Sequence, residues 1–148
     1  WICSSYFKLE GSSAHEEDGW FETGDVASID ANGNVSITDR TKDVIKSGGE
    51  WISSIEVENC ATGHPMVAEA AVIGRIHPKW GERPLLIVVK NGEGDVSPDE
   101  LKGFLDGKIA KWWIPDDVQY IEEMPHTATG KIQKMKLREM FANYQFPG

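Results

Sequence analysis

The stretch Ala70-Ala71-Val72-Ile73-Gly74-Arg75-Ile76-His77-Pro78-Lys79-Trp80-Gly81-Glu82-Arg83-Pro84-Leu85-Leu86-Ile87-Val88-Val89 carries two apolar runs on either side of a turn-rich interval. Each run is short enough for a strand and too continuous for a strand with one wet face, so both are expected as central strands of a sheet. Downstream, Ser97-Pro98-Asp99-Glu100 has the marks of a helix start: a capping hydroxyl, an early Pro, and acids facing the positive end of the helix dipole. Leu101, Phe104, Leu105 and Ile109 continue it as a buried stripe. Gly103 and Gly107 weaken that helix by up to ~1 kcal/mol each relative to Ala, so it must rely on packing. Upstream, Ser53 with Glu56 three residues on reads as a capping box, followed by Val57, Cys60 and Ala61 at helical spacing until Gly63-His64-Pro65 ends the helix. Val118, Tyr120 and Ile121 suit a third strand, and Leu137, Met140, Phe141 and Tyr144 a last amphipathic helix. From about residue 43 the expected order is helix, strand, strand, helix, strand, helix: an α+β domain around a short three-stranded sheet with flanking helices. Ahead of it, Val26, Ile29, Val35 and Ile37 flank Asn32-Gly33, a pair able to take the positive φ of a tight turn, which predicts a β-hairpin. Residues 1–19 show no period and read as a loop or a severed piece of a larger domain.

The chain has 148 residues, 40% of them hydrophobic and 26% charged, with a net charge of −9. That balance opposes general affinity for nucleic acid or an anionic membrane, so any anion site must be local. No apolar run approaches the ~18 residues needed to cross a bilayer, and the start lacks the basic and apolar regions of a signal peptide. It also lacks Met, so the chain is expected to be a piece of something longer. Cys3 and Cys60 form neither a disulfide framework nor a CxxC site, which fits a reducing, cytoplasmic setting. The four His residues have no spacing suited to zinc, and Gly-x-Ser-x-Gly, His-Glu-x-x-His and Gly-x-Gly-x-x-Gly are absent. No metal-ligating set is expected.

Three segments have compositions that packing alone does not ask for. In Thr23-Gly24-Asp25 a turn delivers a lone carboxylate, whose paired oxygens match the vicinal hydroxyls of a ribose. In Asp39-Arg40-Thr41-Lys42-Asp43-Val44-Ile45-Lys46-Ser47-Gly48-Gly49-Glu50-Trp51 a charged segment leads to a Gly pair, through which backbone can pass close to a ligand or swing about its dihedrals. Lys46 and Arg40 are suited to phosphate or ribose oxygens. In Pro125-His126-Thr127-Ala128-Thr129-Gly130-Lys131-Ile132 a small-residue loop presents one Lys. Pro125 stands where a Walker loop needs its first Gly, and Ile132 follows the Lys, so this is not a P-loop. Taken singly, each segment also reads as an ordinary turn.

In order, and at these intervals, the three resemble the C-terminal part of the acyl-CoA synthetases, within the adenylate-forming superfamily that includes firefly luciferase and peptide-synthetase adenylation domains. Gly19-Trp20-Phe21-Glu22-Thr23-Gly24-Asp25 looks like the family's ribose-binding motif, Asp39-Arg40-x-Lys42-Asp43 like its hinge, and Pro125-x-Thr127-x-Thr129-Gly130-Lys131 like its catalytic-lysine motif. The strings from Lys46 to Ser54 and from His77 to Pro84 look most like those of bacterial medium- and long-chain fatty acyl-CoA synthetases.

The resemblance implies ATP and coenzyme A as substrates, with a fatty acid first joined to AMP and then passed to the thiol. Mg²⁺ is expected to accompany ATP on groups outside this chain. The same resemblance implies that residues 1–38 close a large N-terminal adenylation domain, residues 39–43 form the hinge and residues 44–148 a mobile C-terminal domain. Lys131 is the implied catalytic cation, Asp25 and Arg40 the ribose contacts, Asp39 and Lys42 the hinge with Lys42 its pivot, and Lys46, Gly48, Gly49, Glu50 and Trp51 the face toward coenzyme A. His126 replaces an Arg usual in relatives. Without the phosphate loop, adenine pocket and acyl tunnel, the piece is expected to be inactive by itself. Two other readings stand beside this one: a stand-alone, non-catalytic domain that binds a nucleotide or a partner, and an acyl-adenylate-forming enzyme that does not use coenzyme A.

Overall fold

The computed structural model describes residues 3–8, 10, 14–16, 18–92 and 94–147. Part of the loop expected over residues 1–19 therefore lies outside the described residues; the rest of it contains neither helix nor strand. The first regular structure is an antiparallel hairpin of β1 (Asp25–Ile29) and β2 (Val35–Arg40). Its loop is closed by the Asp30 carboxylate, which accepts from the Asn32 and Asn34 backbone N–H groups and from the Asn34 amide. Those bonds, the Asn34 side chain first, lower the Asp30 pKa. Gly33 has φ +84°, whereas Asn32 keeps a negative φ, so the loop is longer than the two-residue turn its Asn-Gly pair predicts.

The body of the domain is a five-stranded sheet, two strands larger than the sequence predicts. β3 (Ile45–Ser47) and β4 (Glu50–Ile52) form a short hairpin at one end. β5 (Val67–His77) and β6 (Gly81–Lys90) form a long antiparallel pair, and β7 (Asp117–Tyr120) runs parallel to β6. The order is β4-β3-β6-β5, with β7 also on β6. β6 is central as expected, but β5 is an edge. Its sequence is continuous in apolar residues because both of its faces are covered, not because it has two neighbours. Ala70, Val72, Leu86 and Val88 pack on Val57 and Ala61 of α1 (Ser54–Thr62) and on Leu101 and Leu105 of α2 (Pro98–Leu105). The alternate residues, Ala71, Ile73, Leu85 and Ile87, face Met124 and, on α3 (Lys134–Met140), Leu137. With a strand's period of two, those two sets are the two sides of one sheet.

Caps and stops set the helix limits. α2 has a reciprocal capping box between Ser97 and Glu100; in α1 the Ser53 hydroxyl accepts from the Glu56 N–H, the one half of the predicted box that forms. α2 ends at Leu105, earlier than the stripe predicts, because the chain turns through Gly107 at φ +77°. Ile109 packs on the core from beyond that turn. Phe141 and Tyr144 likewise lie past the end of α3 yet pack on the same cluster as Leu137, whereas Met140 is exposed.

Candidate active site

The hairpin register sets Asp25 opposite Arg40, and the Arg40 Nε lies 3.4 Å from the Asp25 Oδ1. The Asp25 side chain is 27% exposed and that of Arg40 55%, so the carboxylate keeps oxygen surface available to a hydroxyl donor. The Thr41 N–H donates to the Gly24 carbonyl at 2.9 Å, tying this end of the hairpin to the turn before Asp25. Two expected ribose contacts thus meet immediately ahead of Lys42.

Asp39 has a different environment. Its residue is 1% exposed, and its carboxylate accepts from the Ser54 N–H at 2.6 Å, from the Ser54 hydroxyl at 2.8 Å and from the Arg40 N–H at 2.7 Å. It sits at the positive end of α1, where a buried negative charge is stabilised by unpaired helix N–H groups. The Ser54 hydroxyl also accepts from the Lys134 ammonium at 2.7 Å, and that ammonium pairs with Glu58 at 2.7 Å. Glu58 in turn accepts from the Val72 N–H at 2.7 Å. Burial raises the Glu58 pKa, outweighing the attraction of Lys134. One turn further along α3, Arg138 donates to the Lys42 carbonyl at 3.1 Å and to the Asp43 carboxylate at 2.7 Å.

The Gly48-Gly49 turn joins β3 to β4, with φ values of +58° and +92°. Gly48 is held by its N–H on the Trp80 carbonyl at 2.8 Å, and the Trp80 ring meets Trp112 edge-on at a centroid distance of 5.1 Å. Behind them Arg83, 6% exposed, lies 4.8 Å over the Trp112 ring and donates to Asp116, Ser47 and the Trp112 and Ile114 carbonyls. The turn is therefore braced from below, and Lys46, Glu50 and Trp51 stand exposed on its outer side. The Lys46 ammonium lies 6.0 Å from the centre of the Trp51 ring.

Lys131 is exposed on a turn closed by the Thr127 N–H on the Lys131 carbonyl at 2.8 Å and the Lys131 N–H on the Thr127 hydroxyl at 3.2 Å. Among the described residues its ammonium has neither a hydrogen-bond nor an ion-pair partner. His126, at the other side of that turn, pairs with Glu69 at 2.8 Å. No three His, Cys, Asp or Glu side chains among the described residues could hold a metal ion, and no helix among them is long and apolar enough to cross a membrane. Sequence reasoning assigned no site role to Ser54, Glu58, Lys134, Arg138 or Arg83. The available signal was two basic residues four apart on a helix whose apolar side is Leu137.

This α+β arrangement of helices and mixed sheets matches the C-terminal domain of adenylate-forming enzymes. ATP-bound MatB from Rhodopseudomonas palustris aligns with a TM-score of 0.83 at 32% identity, over 93% of this chain and 28% of that one. The chain belongs to the AMP-binding enzyme C-terminal domain family, whose model matches residues 56–131. Among curated relatives, a 3-methylmercaptopropionyl-CoA ligase of Ruegeria pomeroyi is 57% identical over 95% of this chain and 26% of its own length. A long-chain-fatty-acid–CoA ligase of Thermus thermophilus is 50% identical over 97% of this chain and 27% of its own length. The chain thus spans about a quarter of the relatives it matches.

Proposed function

We propose that the chain is the C-terminal part of an ATP-dependent acyl-CoA ligase acting on a medium- or long-chain fatty acid in the cytoplasm. In this reading residues 1–38 complete a large adenylation domain, residues 39–43 are the hinge and residues 44–148 the mobile domain. The observation that carries it is the identity to CoA ligases along nearly the whole chain.

Forming an acyl-adenylate brings a carboxylate against a phosphate, so a cation must offset charge where it builds up. Lys131 suits that task because its ammonium is unengaged. Asp25, with Arg40 beside it, would hold the ribose diol. Lys42 would be the pivot about which Lys131 leaves and the Gly48-Gly49 face, with Lys46, Glu50 and Trp51, arrives for attack by the thiol of coenzyme A. Mg²⁺ accompanies ATP on groups outside this chain, and alone the chain turns nothing over.

The acid is set by residues beyond this chain. Assaying the full-length enzyme on acetate, benzoate, 3-methylmercaptopropionate, octanoate and palmitate tests the assignment. Preference for octanoate or palmitate is expected; preference for any of the first three removes the fatty-acid reading. Acyl-adenylate formed without transfer to coenzyme A would remove the acceptor.

A further inference from the structure

The hydrogen bonds around the hinge fall into three groups. Arg40 on Asp25 and the Thr41 N–H on the Gly24 carbonyl lie wholly on the hairpin side of Lys42. Lys134 on Glu58 and Arg138 on Asp43 lie wholly on the side of the sheet domain. The third group crosses the pivot: the Asp43 and Val44 N–H groups on the Arg40 carbonyl at 2.8 and 2.9 Å, the Ser53 hydroxyl on the Thr38 carbonyl at 2.9 Å, and Ser54 on Asp39. A rotation at Lys42 leaves the first two groups intact and breaks the third.

We propose that Ser54 is a positioning residue for one of the two half-reactions: its hydroxyl joins Asp39, ahead of the pivot, to Lys134, three residues after Lys131, and so fixes the Lys131 turn relative to the Asp25–Arg40 pair in this domain orientation alone. This rests on the reading of Lys131 and Lys42 given above.

The bonding order is determined by chemistry. An ammonium is donor only and a carboxylate acceptor only, so the single Ser54 proton points to Asp39 while its oxygen accepts from Lys134. Removing the hydroxyl cuts the side-chain link from Asp39 to Lys134 without stranding either charge. In Ser54→Ala, Asp39 keeps the Ser54 and Arg40 N–H groups and Lys134 keeps Glu58. The variant is therefore expected to fold, which a substitution at Lys134 or Asp39 does not ensure.

The test is made on the full-length enzyme, measuring pyrophosphate release from ATP and acid, and thioester formation from supplied acyl-adenylate and coenzyme A, as separate reactions. In Ser54→Ala one rate falls and the other stays within about twofold, so that their ratio moves by roughly tenfold or more, as expected for a lost hydrogen bond to a charged group. Ser54→Thr, which restores the hydroxyl, returns the ratio toward wild type. Equal losses in both reactions, or no change in either by a variant with native melting behaviour, overturns the proposal. A wild-type enzyme that performs neither half-reaction overturns it together with the reading on which it rests.

Discussion

Replacing Gly48 by Ala separates the bracing of the β3–β4 turn from its mere flexibility. A Cβ at Gly48 would lie 2.9 Å from Trp80 Cε3 and 3.4 Å from Trp112 Cζ2. Neither ring is free to yield, because Trp80 abuts Trp112 and Trp112 lies under the guanidinium of Arg83. At φ +58° an L residue also pays backbone strain of ~1–2 kcal/mol. Crowding in a packed site adds ~1–3 kcal/mol, giving a destabilisation of roughly 2–5 kcal/mol. Gly49 is the internal control: its φ is +92° and nothing lies within 4 Å of a Cβ there, so Gly49→Ala carries strain alone, ~1–2 kcal/mol. Gly103, inside α2 and equally open, lacks a positive φ, and Gly103→Ala should stabilise by ~0.5–1 kcal/mol. Urea denaturation of the three variants, followed by tryptophan fluorescence, reads these differences directly. A Gly48→Ala value within ~0.5 kcal/mol of that for Gly49→Ala would refute the argument that Trp80 and Trp112 are fixed beneath the turn.

Lys131→Ala in the full-length enzyme should cut acyl-adenylate formation by ~10²- to 10³-fold while sparing thioester formation from supplied acyl-adenylate; near-normal pyrophosphate release would sink the assignment. Lys42→Pro fixes φ near −65° and removes a backbone donor, so the two half-reactions should suffer unequally, and equal losses would count against a pivot there. Glu58 gives a pH signature: burial raises its folded pKa above the ordinary 4.5, so its contribution is fully present below that value and is lost as pH rises through the folded one. The stability of wild type minus that of Glu58→Gln should therefore fall with rising pH across that window, and a difference that grows with pH would show the sign to be wrong.

The long elements were legible because their patterns are local. β5, β6 and β7 each carry apolar residues enough to show burial, and α2 announces itself with Ser97-Pro98-Asp99-Glu100. What continuity of an apolar run reports, however, is coverage of both faces, which is why β5 was expected in the middle of the sheet and lies at its edge. β3 and β4 have three residues each, too short for a period to appear. They are strands because the buried Ser47 hydroxyl meets Arg83, because Ile45 and Ile52 are fully buried, and because Ser47 pairs with Gly81 of β6. None of those partners lies nearby in sequence.

The same distinction runs through the candidate site. Asp25, Arg40, Gly48, Gly49 and Lys131 stand out by composition because each lies in or next to a turn and is a residue that packing does not call for. Ser54 and Lys134, 80 positions apart, have no local pattern that could join them, and neither is unusual for its own helix. Asp39 is the instructive case. By motif it belongs with the hinge, yet its carboxylate is buried at the positive end of α1 and satisfied by Ser54 and by the next residue's N–H. A residue anchored so firmly resists rotation in this orientation. Thr41 is tied to Gly24 on one side, and Asp43 to Arg138 on the other. Lys42, the proposed pivot, is itself held: its carbonyl accepts from Arg138 at 3.1 Å, and the Asp43 and Val44 N–H groups donate across it to the Arg40 carbonyl. For a pivot there, the bonds that must break are the backbone pair on the Arg40 carbonyl and, at the N-terminus of one short helix, Asp39 with Ser54 and Thr38 with Ser53. In the proposed reading, turning the domain is thus less a matter of a flexible linker than of releasing both the turn over Arg40 to Val44 and the start of α1, a cost confined to a few hydrogen bonds.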